Sequence, residues 1–257
     1  MKITPVKLPL LNPPKDDFFE ALEKSKVVVP NESIVVVSSK IVAIHQGVCM
    51  PVSEVANKDW LIEEQAEIYL ERNIVPGGFL MQTVKHHMLV GSAGIDESNA
   101  NNHYILLPKE PEVFAQELRA YIVKKFGIKD IGVIITDSHS VPMRRGTIGV
   151  SIASWGFKPL HDYRGTPDLF NRELKVSISN LADGLAAAAT VVMGEGSEQT
   201  PVAVVTELKN IQFINKPFKP KGEHKSYYVE PSEDLYKPFF DYLPWKKGGT
   251  SRDSKNN

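Results

Sequence analysis

The chain predicts an α+β fold, a mixed sheet with helices packed on it, and three observations predict it. Two β-branched runs, Ile34 to Val37 and Ile131 to Thr136, read as buried strands. Amphipathic helical stretches separate the strands without a strict strand–helix–strand rhythm, so a doubly wound sheet is not indicated. No internal repeat and no proline- or serine-rich linker appears. Residues 1–245 therefore read as a single domain, which leaves room for two intimately packed subdomains.

Taken in order, Asp16 to Lys24 places Phe18, Phe19 and Leu22 at helical spacing behind Pro13-Pro14. Ile34 to Val37 leads into Ser38-Ser39-Lys40. Asp59 to Arg72 has helical spacing, and Pro76-Gly77-Gly78 then forces a turn. Phe79 to Leu89 reads as a strand. Glu112 to Phe126 reads as an amphipathic helix closed by Gly127. Ile131 to Thr136 reads as a central strand ending at Asp137. Leu181 to Met193 is small and apolar enough to be a helix packed closely on a sheet, and Pro201 to Thr206 is a last strand. Polar, glycine-containing residues 246–257 read as a disordered tail.

The 257 residues carry 30 basic and 31 acidic side chains, a balance that gives no long-range field for nucleic acid or an anionic membrane. No window approaches the roughly 18 apolar residues of a membrane span, and the proline-rich start does not read as a signal peptide. The single cysteine, Cys49, excludes an intramolecular disulfide and a cysteine-built zinc site. A soluble, cytoplasmic protein is expected.

Three acidic loops stand where apolar elements end. They are SAGIDESN at 92–99, Asp137-Ser138-His139 after the IGVIIT strand, and MGEGSEQT at 193–200. Hard oxygen ligands from separate loops suit a Mg²⁺ or Mn²⁺ ion bound to nucleotide phosphates. The competing reading is a turn or cap role for each carboxylate. The glycine-rich loop is not a Walker A motif, because no Lys-Ser/Thr pair follows its glycines. Arg144, Arg145 and Arg164 suit bidentate binding of phosphate or carboxylate, with a solvated loop or a subunit interface as the alternative. His86-His87, adjacent in a strand, would point to opposite faces and read as surface or core residues. Serine-hydrolase, zincin and Rossmann signatures are absent.

SAGIDESN, IGVIITDSHSVPMRRG, PLHDYRGTPDLFNRELKVS and LADGLAAAATVVMGEG followed by TPVAVV, with VKLPLL and VVVSSKIV before them, resemble in order and spacing the coenzyme F420-0:γ-glutamyl ligase family. The resemblance covers about residues 5–206. It implies an intertwined α+β homodimer with the nucleotide in a groove near the interface. It also implies addition of L-glutamate to a deazaflavin carboxylate using GTP or ATP, a pair of Mg²⁺ or Mn²⁺ ions and often K⁺. On matching motifs it makes Asp96 and Asp137 metal ligands, with Ser138 where the family commonly has threonine. Glu195, where relatives often carry Gln or Lys, completes a second metal site. Leu8, Pro9, Leu10, Leu11, Ser38, Ser39 and Lys40 would surround the nucleotide, together with Asn99, Met193, Gly194, Gly196 and Ser197.

Two departures bear on the acceptor. The family's SKAEG lysine falls on Ile44, and His139 replaces a common aromatic residue. These changes direct the expectation away from F420-0 and toward a folate or a glutamate-ended peptide or protein. The chemistry expected throughout is activation of an acceptor carboxylate as an acyl phosphate, then amide formation with glutamate. Arg144, Arg145 or Arg164 would clamp a carboxylate of acceptor or glutamate, and His139 is the one candidate base. The rivals are a nucleotide-binding sensor module without catalysis and a structural dimer.

Overall fold

The computed structural model describes residues 1–215 and 228–249. In chain order its first half contains β1 (Lys2–Val6), α1 (Phe18–Lys24), β2 (Ser33–Ser38), α2 (Ser39–Gln46), β3 (Cys49–Pro51), α3 (Lys58–Gln65), β4 (Ile68–Tyr69), β5 (Gln82–Lys85), β6 (Met88–Gly91) and β7 (His103–Ile105). There follow α4 (Pro111–Phe126), β8 (Ile131–Ser140), β9 (Thr147–Trp155), β10 (Leu160–Asp162), β11 (Ile178–Asn180), α5 (Leu181–Met193), β12 (Val202–Thr206), α6 (Lys237–Tyr242) and β13 (Lys246–Lys247).

Five strands in the order β1-β12-β2-β8-β9 make the central sheet. Only β2 and β8 run parallel in it; the other pairs are antiparallel. Both faces are covered, so β2, the first half of β8 and β12 read as near-continuous apolar runs. Val35, Val37, Val133, Ile135, Val202 and Val204 pack into one core with side chains of α1, α2 and α4. Ile34, Val36, Ile134, Ala203 and Val205 pack into a second core against α5. Each such valine or isoleucine, removed from water, contributes about 1.5–3 kcal/mol of burial.

Helix α5 lies close to β9 because its apolar side is alanine-rich and β9 offers Gly149. A Cβ at Gly149 would stand 2.5 Å from Thr190 Cγ2 and 2.7 Å from the Ala186 carbonyl oxygen. A second, smaller sheet in the order β13-β4-β5-β6 packs with α3 around Leu61, Ile62, Met81, Ile95 and Tyr104. The α+β expectation holds, and the smaller sheet has a core of its own, while Met88 of β6 joins the first core of the central sheet. No helix among the described residues is long and apolar enough to cross a membrane.

Several boundaries differ from the sequence reading. The helical stretch expected over 59–72 stops at Gln65, since Ala66 turns extended and Ile68–Tyr69 pair with both β5 and β13. The strand expected over 79–89 is a hairpin turning at His86-His87, both with positive φ (50° and 57°). Asparagine or glycine normally marks such a turn, and neither is present. Strand β8 runs on to Ser140 because β9 pairs along its whole second half, so Asp137 lies within it. Strand β1 was hidden by Pro5, tolerated because β1 is an edge strand. Residues 246–249 are ordered rather than tail. There β13 pairs with β4, and Gly248 and Gly249 donate to the Glu67 and Glu63 carbonyls at 3.0 and 3.1 Å. Residues 250–257 lie outside the described residues.

The α5–β9 contact yields a stability prediction. Gly149→Ala forces the helix backbone at Ala186 outward, so urea unfolding should show a loss of about 1–3 kcal/mol. An unchanged midpoint would mean that α5 is free to shift.

Candidate active site

The parallel pair β2 and β8 opens a cleft at its carboxyl ends, the usual place for a ligand in an open sheet. The cleft has a volume of about 500 Å³, and three stretches distant in sequence build its polar rim. One is the loop after β6 with Asp96 and Asn99. Another is Thr136–Ser138 on β8, and the last is the 193–200 loop that leaves α5.

Strand β2 passes into α2 with no loop between them, so Ser38 is at once the last strand residue and the helix N-cap. Ser39 is therefore buried against β8, where its hydroxyl donates to Asp137 Oδ1 at 2.5 Å. Lys40, one residue on, reaches across to the loop after β6. Its Nζ lies 2.7 Å from Asp96 Oδ2 and donates to the Ser98 carbonyl (2.7 Å) and hydroxyl (3.0 Å). Ser138 donates to both Glu195 oxygens at 2.7 and 2.8 Å. Asn99 donates from Nδ2 to the Gly196 carbonyl at 2.8 Å, closing the rim. Leu8 and Gln199 exchange hydrogen bonds, which pins the chain after β1 to the 193–200 loop.

The two aspartates are driven in opposite directions. Burial pushes the Asp137 carboxyl up to about 6; the charge of Asp96 adds to this and the Ser39 hydroxyl opposes it. At Asp96 burial also disfavours the charge, but the Lys40 ammonium and the Ser98 amide outweigh it and hold the carboxyl below its ordinary value.

All four residues expected to hold metal, Asp96, Asp137, Ser138 and Glu195, border the cleft. So do Pro9, Leu10, Leu11, Ser38 and Lys40 on one side and Asn99, Met193, Gly194, Gly196 and Ser197 on the other. Leu8 belongs to the core, and Ser39 reaches the site only through Asp137. Arg144 and Arg145 are exposed between β8 and β9, and Arg164 is held by Asp162 (Nη2–Oδ2 2.8 Å). None of the three arginines lines this cleft. Glu97, beside Asp96, forms an ion pair with Lys58 at 2.6 Å.

Sequence reasoning missed Ser140 and Thr190 as lining residues, whereas Glu198 falls in the 193–200 loop it had placed around the nucleotide. The i+2 spacing from Thr136 through Ser138 to Ser140 was the available signal. Ile44 is 1% exposed, a core side chain that also forms part of the cleft's apolar wall. His139 is half-buried, and burial holds its imidazole below the ordinary value against the opposing charge of Asp183.

Among the described residues no three His, Cys, Asp or Glu side chains converge as one metal-binding group. The donors that do meet are carboxylate and hydroxyl oxygens in pairs. That set does not suit an all-protein cage; it suits a Mg²⁺-type ion that takes its remaining ligands from water and phosphate.

A sequence model of the family described as F420-0:Gamma-glutamyl ligase matches residues 6–207, and the chain belongs to that family. A coenzyme F420:L-glutamate ligase of Methanopyrus kandleri is 32% identical over 252 residues, spanning 92% of this chain and 98% of that protein. Another, from a Methanococcus maripaludis strain, is 32% identical over 222 residues, 84% and 86% of the two chains. A third, from Methanocaldococcus jannaschii, is 41% identical over 137 residues, 53% and 54% of the two chains.

Because folding raises the Asp137 carboxyl above its ordinary 3.8, the group favours folding fully below about pH 4, and that contribution is lost as pH rises through about 6. Asp137→Asn removes the buried charge, keeps the volume and still accepts from Ser39. At pH 7 the variant should be more stable than the wild type by on the order of 1–3 kcal/mol, a gain that disappears below about pH 4. Urea unfolding at both pH values checks this; equal stabilities at pH 7 would refute the buried charge.

Proposed function

We propose that this protein is a nucleotide-dependent glutamate ligase that joins L-glutamate to a carboxylate of an F420-0-type acceptor. The observation that carries the reading is the meeting of Asp96, Asp137, Ser138 and Glu195, from three separated stretches, on the rim of one cleft. The relatives, named as coenzyme F420:L-glutamate ligases, support the glutamate and the acceptor. Folate and peptide acceptors find no support among them, and Ile44 faces the core as well as the cleft.

A carboxylate forms an amide only when one of its oxygens becomes a leaving group. In the proposed reaction the γ-phosphoryl group of ATP or GTP moves to an acceptor carboxylate oxygen, and the nucleoside diphosphate is released. The neutral amine of glutamate then attacks the acyl carbon, phosphate departs, and the amine gives up a proton. Bound Mg²⁺ or Mn²⁺ would neutralise the β- and γ-phosphate oxygens. Asp96 and Asp137 with the Ser138 hydroxyl would hold one ion and Glu195 would serve a second. Leu10, Leu11, Ile41 and Ile44 offer an apolar wall suited to a nucleobase. A sensor module without catalysis finds no support among the relatives, which are named as ligases.

The reading includes a homodimer. Leu169 (98% exposed), Phe170 (84%) and Val176 (84%) project between β10 and β11, and Val191 (83%) is bare on α5. This is apolar surface of the kind that marks an interface. In such a dimer Arg144, Arg145 and Arg164 would serve a cleft from across the subunit boundary.

With Mg²⁺, ATP or GTP, F420-0, tetrahydrofolate and a glutamyl peptide in competition, labelled glutamate should appear on F420-0 by mass spectrometry. Asp96→Asn and Asp137→Asn should each lower turnover by about a hundredfold or more while keeping the fold. Wild-type turnover in either variant, or full activity in excess chelator, sinks the site. Label on folate or peptide instead reassigns the acceptor. For assembly, light scattering should give twice the chain mass of 28.6 kDa, and the double variant Leu169→Asp, Phe170→Asp should give the monomer; a monomeric wild type with full activity refutes the dimer.

A further inference from the structure

We infer that Lys40 is a placeholder cation: before ligands arrive its ammonium occupies the place on Asp96 that a divalent ion takes over, and it then transfers to the nucleotide's phosphates. The inference rests on the cation and nucleotide reading above and adds a residue that changes partners during binding.

Three acceptors on one loop, Asp96 Oδ2, the Ser98 carbonyl and the Ser98 hydroxyl, satisfy the three donors of the ammonium. Among the residues that line the cleft, Lys40 is the one lysine or arginine, against the four carboxylates of Asp96, Asp137, Glu195 and Glu198. Without ligand, then, the rim carries more negative charge than its own cation offsets, and the ammonium sits on one of the two aspartates. A divalent ion and an ammonium cannot share that carboxylate edge, because like charges at contact distance repel. The nucleotide brings several negative charges into the same cleft. An exchange in which Asp96 takes the divalent ion and Lys40 takes a phosphate keeps every charge paired.

The geometry allows the exchange. The Lys40 side chain is 21% exposed and hangs on a flexible four-carbon stem. Its base is fixed by α2, one residue from Ser39 and hence from Asp137. The movement is a swing of one side chain at the mouth of the cleft. The alternative is a latch, in which Lys40 does no more than tie α2 to the 96–98 loop.

Two affinities separate these, measured on the full chain: Mn²⁺ alone by the electron paramagnetic resonance of the free ion, and a Mn²⁺ complex of a non-hydrolysable ATP or GTP analogue by calorimetry. If Lys40 is a placeholder, Lys40→Met should bind Mn²⁺ alone roughly two- to fivefold more tightly, since a competitor for Asp96 is gone. The same variant should bind the nucleotide complex about tenfold or more weakly, since a charge-assisted contact is lost. Lys40→Arg keeps a competing charge and should leave Mn²⁺ binding near that of the wild type. Weakening of both affinities in Lys40→Met, as a latch predicts, or a change in neither, overturns the inference. Wild-type protein that binds neither Mn²⁺ nor the complex overturns the cation and nucleotide reading itself, and the inference falls with it.

Discussion

The site depends on one pairing, the parallel register of β2 with β8. Val37 lies beside Ile135 and Ser38 beside Thr136, so the end of β2 and the polar second half of β8 meet at the same edge of the sheet. Because β2 becomes α2 without an intervening loop, that edge receives a helix start rather than a mobile connection. Ser39 and Lys40 are thereby fixed within reach of Asp137 and Asp96. The helix is held in turn by Val42, Ala43 and Ile44, all buried in the core that β2 and β8 share. Burial in this core and geometry at the rim are two ends of the same element.

The rim illustrates how environment gives one residue type two behaviours. Asp96 and Asp137 are both partly covered, burial disfavours the charge on each, and the charge of Asp96 adds to the push on Asp137. Lys40 lies against Asp96, so that carboxylate stays ionised at little cost. Asp137 has the Ser39 hydroxyl, a dipole in place of a charge, and its carboxyl is pushed up. An isolated fold would gain by removing such a group. Under the proposed reading a site that attracts a cation would gain by keeping it, and stability and function would there pull apart.

Where burial on two faces produces an unbroken apolar run, the elements were legible in the sequence: β2, the first half of β8, α5 and β12 fall close to where their residues indicate. The smaller sheet was harder to read. Its strands are two to four residues long, its turn uses histidines at positive φ, and β13 comes from polar residues that pair only because β4 offers an open edge. The acidic loops were visible as chemistry-bearing stretches, yet their meeting is a tertiary fact. Nothing in SAGIDESN says that Asp96 turns toward Lys40 while Glu97 turns toward Lys58. The arginines show the same limit: residue type advertised anion binding, but the hairpin between β8 and β9 carries Arg144 and Arg145 away from the cleft.

Ile44 shows why a substitution is weighed in its place rather than by its letter. Read as a lost lysine, it removes a positive charge and argues for another acceptor. In the fold it stands in the middle of α2, almost wholly covered, packed among Val42, Ala43 and the core beneath. A lysine at this position would have to run its stem along that apolar surface and surface at the cleft, so the change exchanges a snorkelling cation for wall area. The negative charge of the rim is then balanced by fewer protein cations, and in the proposed reading more of the balance would fall to ions that enter with a nucleotide. Loss of a fixed charge at Ile44 and the pairing of Lys40 with Asp96 are in this sense one electrostatic arrangement: a cleft whose own residues leave it negative, suited to a ligand that arrives with its cations.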